Sequence, residues 1–541
     1  MTKLPTVRNR LRRPLPIFRS LAIIARGECM GNETELKFRL DKPASERLRR
    51  HPLIRRLKHG KAVTRQEKSV YFDTPGNDLR SRQSVLRVRS IGGRRVQTLK
   101  SADPSGAAWT RHEWQWDIYD DQPDCRLLAS TPLSMDFPSS RLQPVFSTEI
   151  RRTTVVFGEA DWQIEMVLDH GIVRAGSLTC PVNEAELELK AGDPAILFRV
   201  AQDLFGNIPA VLSLATKAER GFALLDQAAP KPVKAQAVAL AKDQSSAAAF
   251  RRIALSCIGQ LVANQEILAA TGDPEAVHQM RVAVRRLRAA MSLFKGFLDT
   301  PETVAVKEDL RWLQSHLGPA RDAEVFIAEV LDPVAAAFAG TPGFDRLRAH
   351  YAARRETLTA AVIGLLRHRR LTQTLLRLGA WAEGGDWQRW EGGAQLEHLQ
   401  RPVMEAAVQA LTRRDRKVTK GMTDLEQLDD HARHMLRIQV KKLRYSIDFF
   451  SSLYSVSRAR KAAAALGELQ DHLGLLNDFA VARDILKSQA EKQRDKTLLW
   501  VSGMIAGWHA ARIPGLLRDA AGDWDAYRKL PRLWSGRSAG K

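Results

Sequence analysis

The sequence predicts an α+β protein in which an antiparallel β half is followed by an all-α half. Polar and apolar residues alternate with the period of a strand in many segments between residue 33 and about residue 190. From about Ser246 the apolar period becomes helical, and it stays helical to about Leu517. One helical motif occurs twice at a fixed offset, which predicts a duplicated bundle. The 541 residues suffice for two or three domains.

The β half consists of short strands bounded by turn signals. Gly92-Gly93 predicts a hairpin between two of the strands. We expect one helix over residues 43–57 and another over residues 194–205. The candidate strands cover residues 33–40, 69–73, 84–91, 94–101, 109–118, 146–157, 162–169, 172–175 and 183–190.

Charged residues share one face of several candidate strands. The first strand places Glu33, Glu35 and Lys37 on the face opposite Leu36 and Phe38. If the sheet curls with such faces inward, its lumen holds many acids and bases, which are costly to bury without partners. Divalent cations would balance the acids, and phosphate would balance the bases. The alternative is a sandwich with one solvated face, but recurrence over several strands favours a polar pocket that hydrolyses a phosphoanhydride with the help of metal.

The helical half contains an internal repeat. The segment from Val277 to Arg288 matches the segment from Arg433 to Arg444, and its His278 and His434 lie 156 residues apart. Two Leu-Gly segments and two aspartates, Asp322 and Asp478, keep the same offset. We therefore predict two related helical bundles of three or four helices each.

Each copy of the repeat carries a basic stripe on one helical face. In the first copy the stripe lies beside the apolar stripe that is expected to face the core. An ordinary solvated face would explain one such helix, but two copies in register favour an anion groove between the repeats. The stripes consist of His278, Arg281, Arg285 and Arg288 in the first copy and of His434, Arg437, Lys441 and Arg444 in the second.

The bulk composition indicates a polyanionic partner. The formal net charge of +23 is spread over the whole chain and suits nucleic acid, anionic lipid or polyphosphate. The four cysteines are far apart, which argues against a disulfide framework and fits a reducing cytosol. No apolar run approaches the ~20 residues of a membrane span, so we predict a cytoplasmic protein without a membrane partner.

Composition also divides the chain. We expect a basic extension at the start, either a transit-like leader or, preferably, sequence before a true start at Met30. The Pro- and Ala-rich segment after residue 225 predicts a linker. The last fifteen or so residues are expected to be disordered. The expected units are 1–30 (extension), 31–225 (β domain), 226–245 (linker), 246–520 (helical domain, with repeats of about 246–400 and 401–520) and 521–541 (tail).

The order of charged motifs in the β half resembles the CYTH family, the triphosphate tunnel metalloenzymes. The resemblance implies an eight-stranded antiparallel tunnel with flanking helices that takes a linear triphosphate end-on. It rests on Glu33-x-Glu35-x-Lys37, Tyr71-Phe72-Asp73-Thr74, Leu86-Arg87-x-Arg89, Lys100, Arg111-x-Glu113, Arg152, Asp169, Glu186-x-Glu188 and Lys217.

This resemblance also implies a role for each residue. Arg151 and Arg152 are adjacent, so only one can point inward, and we assign Arg152; Glu184 is expected at the tunnel mouth. The phosphate-binding set is Lys37, Arg87, Arg89, Lys100, Arg111, Arg152 and Lys217. The metal-binding set, for Mg²⁺ or Mn²⁺, is Glu33, Glu35, Glu186 and Glu188, and the catalytic set is Glu33, Glu35, Lys37, Lys100, Glu113 and Asp169, with Glu113 and Asp169 helping to place metal or water.

The helical half resembles the CHAD family through its two His-x-x-Arg-x-x-x-(Arg/Lys)-(Arg/Lys)-Leu-Arg motifs. That resemblance implies polyphosphate binding by the basic stripes, and together the two halves resemble bacterial CYTH–CHAD inorganic triphosphatases. We therefore expect metal-dependent hydrolysis of triphosphate or short polyphosphate, with association with polyphosphate granules. The alternatives are an adenylate cyclase or thiamine-triphosphatase in the same tunnel, for which Trp109, Trp114 or Trp116 would stack a base, and a non-catalytic protein that binds polyphosphate or nucleic acid.

Overall fold

The computed structural model of the chain describes residues 29–102, 108–133, 141–490 and 494–535. Most of the predicted basic extension, residues 1–28, lies outside the described residues.

The β half forms a closed antiparallel barrel of eight strands. The strands follow the order β5-β4-β3-β2-β6-β7-β8-β1, and β1 closes the barrel against β5. A short ninth strand pairs with β1 beyond the end of β5. The strands are β1 (Cys29–Arg39), β2 (Lys58–Asp73), β3 (Ser84–Ile91), β4 (Arg94–Ala102), β5 (Thr110–Ile118), β6 (Gln143–Gly158), β7 (Gln163–Ala175), β8 (Leu178–Ala191) and β9 (Val211–Ser213).

The barrel confirms the predicted tunnel, but two strands differ most from their predicted bounds. β2 begins at Lys58 rather than at residue 69, because its exposed first half pairs with β6 and carries no apolar alternation. β7 is one strand from Gln163 to Ala175, because Gly171 in its middle lets the backbone of β6 approach closely. Gly92 and Gly93 both take positive φ, as the predicted hairpin requires.

Five α-helices in the described part of the first half accompany the barrel. Pro52 divides the helix expected over residues 43–57 into two. The last of the five begins at a capping box, in which Thr216 and Glu219 bond each other's backbone N–H groups. The helices are α1 (Lys42–Arg49), α2 (Pro52–Leu57), α3 (Asp78–Ser81), α4 (Pro194–Leu204) and α5 (Lys217–Asp226).

The second half is entirely helical and repeats itself. Within it α7 and α14 begin at Pro274 and Asp430, which are 156 residues apart, the offset found in the sequence. The helices are α6 (Ser246–Thr271), α7 (Pro274–Leu293), α8 (Pro301–Val325), α9 (Asp332–Ala337), α10 (Phe344–Leu365), α11 (Arg369–Gly384), α12 (Gly393–Gln400), α13 (Val403–Met422), α14 (Asp430–Phe450), α15 (Val456–Ala490) and α16 (Lys496–Lys529).

The tail that was predicted to begin at residue 521 is helical over its first part. Residues 521–529 belong to α16, because Trp524 and Tyr527 on its last turns are buried. The Tyr527 hydroxyl donates a hydrogen bond of 3.0 Å to Asp415 on α13. Residues 536–541 lie outside the described residues.

The barrel and the helical half share one hydrophobic core. A Cβ on Gly379 of α11 would lie 2.2 Å from the Phe198 ring of α4, so the two helices can approach this closely only with glycine there. Buried Glu383 joins the halves with polar contacts. It accepts a hydrogen bond of 3.1 Å from the Trp109 indole and pairs with Arg251 of α6.

One helix among the described residues, Ser246–Thr271, is long and apolar enough to cross a membrane by length and composition alone. The relevant window is 72% buried inside the protein, which is the position of a core helix. It is buried against both the bundle and the barrel.

Candidate active site

The barrel encloses a polar cavity of about 460 Å³ that contains most of the predicted site residues. Alternation along each strand places every second side chain in this lumen. Predicted residues that line it are Glu33, Glu35, Lys37, Arg87, Arg89, Lys100, Arg111, Glu113, Arg152, Glu186, Glu188 and Lys217.

Glutamates form a row across three neighbouring strands on one side of the lumen. Glu188 of β8 lies opposite Glu35 of β1 and opposite Glu165 of β7. Like charges in such positions repel each other. Burial, together with the charges of Glu33 and Glu165, raises the pKa of Glu188 to about 7 even though Lys190 lies 2.5 Å away. The acids on this side therefore lack sufficient cationic partners.

Two lysines neutralise only part of this acidic side. The Lys100 ammonium lies 2.5 Å from a Glu33 oxygen and 3.3 Å from Glu113. Burial opposes the charge on Lys100, but Glu33 and Glu113 outweigh it and raise the pKa of Lys100. Lys37 donates a hydrogen bond to Glu35 on its own strand.

Arginines crowd another part of the lumen wall. Arg87 and Arg89 share a face of β3, and burial followed by the charges of Arg87 and Arg152 lowers the pKa of Arg89 to about 10. Glu67 of β2 lies 3.1 Å from Arg89 and 3.6 Å from Arg152. Arg152 also pairs with Asp169 and Glu186, whereas Arg87 reaches Glu113 only at 4.0 Å, so Arg87 and Arg89 retain positive charge that an anion could balance.

Lys217, the first residue of α5, neutralises a second acidic cluster. Its ammonium contacts Asp169 at 2.7 Å and Glu186 at 2.9 Å, and it also pairs with Glu184. Oxygens of these three acids lie within 4.8 Å of one another, a spacing that suits a metal ion. Lys217, Arg152 and Arg220 already supply three positive charges to the cluster, so the row around Glu188 is the better cation site.

Two acids occupy positions different from those expected. Asp169 is fully buried behind Arg152, which donates to it at 2.8 and 2.5 Å, so it positions cations and does not line the cavity. Glu184, expected at the tunnel mouth, is instead buried between Lys217 and Arg220. Arg152 lines the lumen while its neighbour Arg151 is exposed outside.

Sequence reasoning missed three charged residues around the lumen as site residues: Glu67, Lys190 and Arg220. Glu67 was hidden because the predicted strand began at residue 69, although Glu67 continues the alternation with Ser69 and Tyr71. Arg220 follows Lys217 by one helical turn, a spacing that an α5 prediction would have revealed. Glu165 also lines the cavity but was assigned no role.

The three tryptophans proposed to stack a base do not reach the lumen. Trp114 and Trp116 are buried in a separate apolar cluster outside the barrel wall. Trp109 packs against Phe198 at the junction with the helical half. Among the described residues Tyr71 is the one aromatic residue that lines the cavity, and it stacks on Phe146.

The helical half brings part of the two predicted basic stripes together. Burial and the charges of Arg321, Arg285, Arg281 and Lys441 lower the pKa of His278 to about 3. Burial, Arg437 and Arg285 lower the pKa of Lys441 to about 6. In the described part of the chain, no carboxylate lies within ion-pair distance of Arg285 or Lys441. We call His278, Arg281, Arg285, Arg437 and Lys441 the basic groove.

The duplication repeats the supports of this groove. Arg281 pairs with Asp322 at 3.1 Å, and Arg437 approaches Asp478 at 3.7 Å, which are equivalent contacts 156 residues apart. Three members of the stripes do not belong to the groove as defined. The charge of Arg444 contributes to lowering the pKa of Lys441, exposed Arg288 donates a hydrogen bond to Gln314, and His434 forms a hydrogen bond of 2.5 Å with Asn477. The charges that act most strongly on His278 are all positive, so the groove favours anions over a metal cation.

The fold and these sites define a charged antiparallel tunnel joined to a helical domain with a basic groove. Residues 31–222 match the family model for the CYTH domain, and residues 252–487 match that for the CHAD domain. The chain therefore contains a CYTH domain followed by a CHAD domain.

Several known proteins are similar to parts of the chain. An inorganic triphosphatase of Haemophilus influenzae is 30% identical over 159 residues, which cover 29% of this chain and 45% of that protein. An uncharacterized protein of Mycobacterium tuberculosis is 27% identical over 469 residues, covering 79% of this chain and 83% of its own length. The chain thus spans less than half of the triphosphatase that it matches.

Two solved structures resemble the two domains separately. The CHAD domain from the plant Ricinus communis is 28% identical and covers 56% of this chain and 98% of its own, with a TM-score of 0.48. A putative adenylyl cyclase from Hippeastrum, described as having a dominant triphosphatase activity, is 19% identical and covers 35% of this chain and 96% of its own, with a TM-score of 0.27.

Proposed function

We propose that the tunnel hydrolyses inorganic triphosphate or short polyphosphate with Mg²⁺ or Mn²⁺ and that the helical domain binds longer polyphosphate. The observation that carries the first part is the division of charge in one lumen. On one side the charges of Glu33 and Glu165, together with burial, raise the pKa of Glu188 despite the nearby Lys190, and elsewhere in the lumen burial and neighbouring arginines lower the pKa of Arg89. A phosphate chain with its metal ions supplies both missing charges at once.

The bases would hold the phosphate chain. Arg87, Arg89 and Arg152 offer planar donor groups that match phosphate oxygens, and Lys37 and Lys100 add point charges. Arg111 is free to bind, since it has no ion-pair partner among the described residues and lines the lumen. Burial strengthens these interactions because it removes competing water.

The residues present fit a hard divalent cation. Glu33, Glu35 and Glu188, with Glu165 beside them, supply carboxylate oxygens, which Mg²⁺ and Mn²⁺ prefer. Glu186 lies between this row and Lys217 and completes the predicted metal set. When bound, the metal would screen the phosphate charge and lower the pKa of water.

In the proposed reaction water attacks a terminal phosphorus in line with the departing phosphate. Arg87, Arg89 and Arg152 stabilise the charge that develops on the phosphate oxygens. Lys217, held in place by Asp169 and Glu184, stabilises charge in the same way at the start of α5. The bond broken is the terminal P–O–P link, and the products are orthophosphate and a chain shortened by one unit.

A substrate comparison tests this proposal. Purified protein is assayed for phosphate release from tripolyphosphate, ATP and thiamine triphosphate, each with Mg²⁺, with Mn²⁺ and with chelator. We expect metal-dependent release that is fastest with tripolyphosphate. Faster turnover of ATP or thiamine triphosphate would favour an adenylate cyclase or a thiamine-triphosphatase instead. If no substrate is turned over with any divalent ion, the protein binds polyphosphate without hydrolysing it, and the proposal is wrong.

The helical domain would bind polyphosphate through the basic groove. Among the described residues Arg285 and Lys441 of the groove have no acidic partner, and burial together with the charges of Arg437 and Arg285 lowers the pKa of Lys441. A polyanion relieves that repulsion, and its affinity should fall as salt rises. Full-length protein is titrated with long polyphosphate and with DNA of matched charge. The groove is supported if the protein prefers polyphosphate and if Lys441→Glu loses this preference. The control Lys461→Glu, at an exposed position near the start of α15, should keep it. Equal affinity for polyphosphate and DNA would contradict the proposal.

A further inference from the structure

A second cavity of about 830 Å³ adjoins the tunnel at the side where β3 starts and β4 ends. Val85, Lys100, Arg111, Thr216 and Ala218 line both cavities. The far wall of the second cavity comes from α5 and from the segment between the two domains, including Ala228, Pro230, Lys231 and Gln236. We call this cavity the linker chamber.

The interdomain segment is a fixed wall of the chamber. The side chain of fully buried Asn264 bonds both backbone groups of Val233, at 3.0 and 2.9 Å. Ser452 bonds the backbone of Val238 at 2.8 Å and that of Leu240 at 2.9 Å. These contacts attach the segment to the helical domain on the C-terminal side of Lys231 and so hold Lys231 at the chamber.

The charged side chains of the chamber that have no ion-pair partner among the described residues are positive. The two acids among the described residues that line it are engaged, since Glu219 belongs to the cap of α5 and Asp226 forms a bidentate pair with Arg80 at 3.0 and 2.5 Å. Within the described ranges neither Arg111 nor Lys231 has an ion-pair partner. The chamber therefore offers an anion a base at its tunnel end and another at its linker end.

We propose that the linker chamber receives the phosphates of a linear polyphosphate that extend beyond those held in the tunnel. Arg111 contacts the chain where it leaves the tunnel, and Lys231 contacts it farther out. This inference rests on the proposed function and refines it. The substrate class becomes linear chains longer than triphosphate, and the interdomain segment becomes part of the binding site.

The experiment compares Lys231→Glu with Lys234→Glu on two substrates. Lys234 is also exposed in the same segment but does not line the chamber. KM and kcat are measured with tripolyphosphate and with a longer linear polyphosphate of defined length, each in excess over protein. Lys231→Glu should raise KM for the longer chain about fivefold, the size of one exposed charge contact, with kcat and the KM for tripolyphosphate nearly unchanged. Lys234→Glu should leave both substrates unaffected.

The outcomes separate this inference from the proposed function. If unsubstituted protein hydrolyses tripolyphosphate but Lys231→Glu changes both KM values alike, or changes neither, the chamber does not bind the extended chain. The same conclusion follows if Lys234→Glu matches Lys231→Glu. If unsubstituted protein hydrolyses neither substrate, the proposed function fails and this inference fails with it.

Discussion

Replacing Lys217 with methionine should destabilise the tunnel strongly. The Lys217 side chain is 8% exposed, and its ammonium contacts Asp169, Glu184 and Glu186. Methionine keeps most of the side-chain volume but removes one of the three cations that neutralise these buried acids. Arg152 and Arg220 remain as the other two. Breaking a buried ion pair by removing one partner costs about 3–5 kcal/mol. We expect a loss of that size in the free energy of unfolding.

Urea unfolding without added metal measures this loss. Lys68→Met is the matched control, because Lys68 is exposed on β2 without an ion pair among the described residues, and it should change the free energy of unfolding by less than about 0.5 kcal/mol. In Lys217→Met the acid oxygens, within 4.8 Å of one another, become free to bind a cation. Added Mn²⁺ should therefore stabilise Lys217→Met more than it stabilises the unsubstituted protein.

Two results would refute this reasoning. The first is a free energy of unfolding for Lys217→Met that lies within about 1 kcal/mol of the unsubstituted protein, because the acids would then not depend on Lys217. The second is a strong loss with no additional response to Mn²⁺, which would mean that the three acids do not form the cluster described.

Three further perturbations test other parts of the structure. Arg152→Ala should lower kcat/KM for tripolyphosphate about 10–100-fold, the value of one or two charge-assisted hydrogen bonds, whereas exposed Arg151→Ala should change it less than about twofold. Polyphosphate affinity should rise as the pH is lowered from about 8 to 6, because the pKa of Lys441 is near 6 in the free groove and a bound polyanion raises it. Titration calorimetry measures this pH dependence. The dependence should be weaker in Lys441→Arg, because arginine stays charged over this range. Glu383→Ala should lower the free energy of unfolding by about 1–3 kcal/mol, since it leaves the buried Trp109 indole without an acceptor; a smaller loss than in Arg251→Ala would contradict this.

The charged strand faces could be predicted because they depend on alternation along single strands, whereas the closed tunnel followed from the resemblance to the CYTH family. Glu33, Glu35 and Lys37 share one face whatever their neighbours are, since the period of a strand is two, and in the barrel that face lines the lumen. The same rule required that only one of Arg151 and Arg152 face inward, and the choice of Arg152 came with the resemblance. The repeat was equally visible, because α7 and α14 keep their offset of 156 residues.

Features that depend on contacts between distant segments could not be predicted. Glu383 lies 274 residues from Trp109, and no local pattern links them. Glu184 has the strand parity of Glu186, but its burial depends on Lys217 and Arg220 from α5. The helical end of α16 was missed because its apolar residues, Trp524 and Tyr527, are sparse and become informative only when their partners on other helices are known.

The most direct test of the account is a metal titration of tripolyphosphate hydrolysis by the protein, Glu188→Gln and Glu149→Gln. Glu188 lies in the row of glutamates proposed to hold metal, and Glu149 is exposed on the outside of β6. We predict that the protein and Glu149→Gln release phosphate only with Mg²⁺ or Mn²⁺, and that Glu188→Gln needs more metal and turns over at least about 100-fold more slowly. Equal turnover by all three proteins, or turnover without metal, would contradict the account.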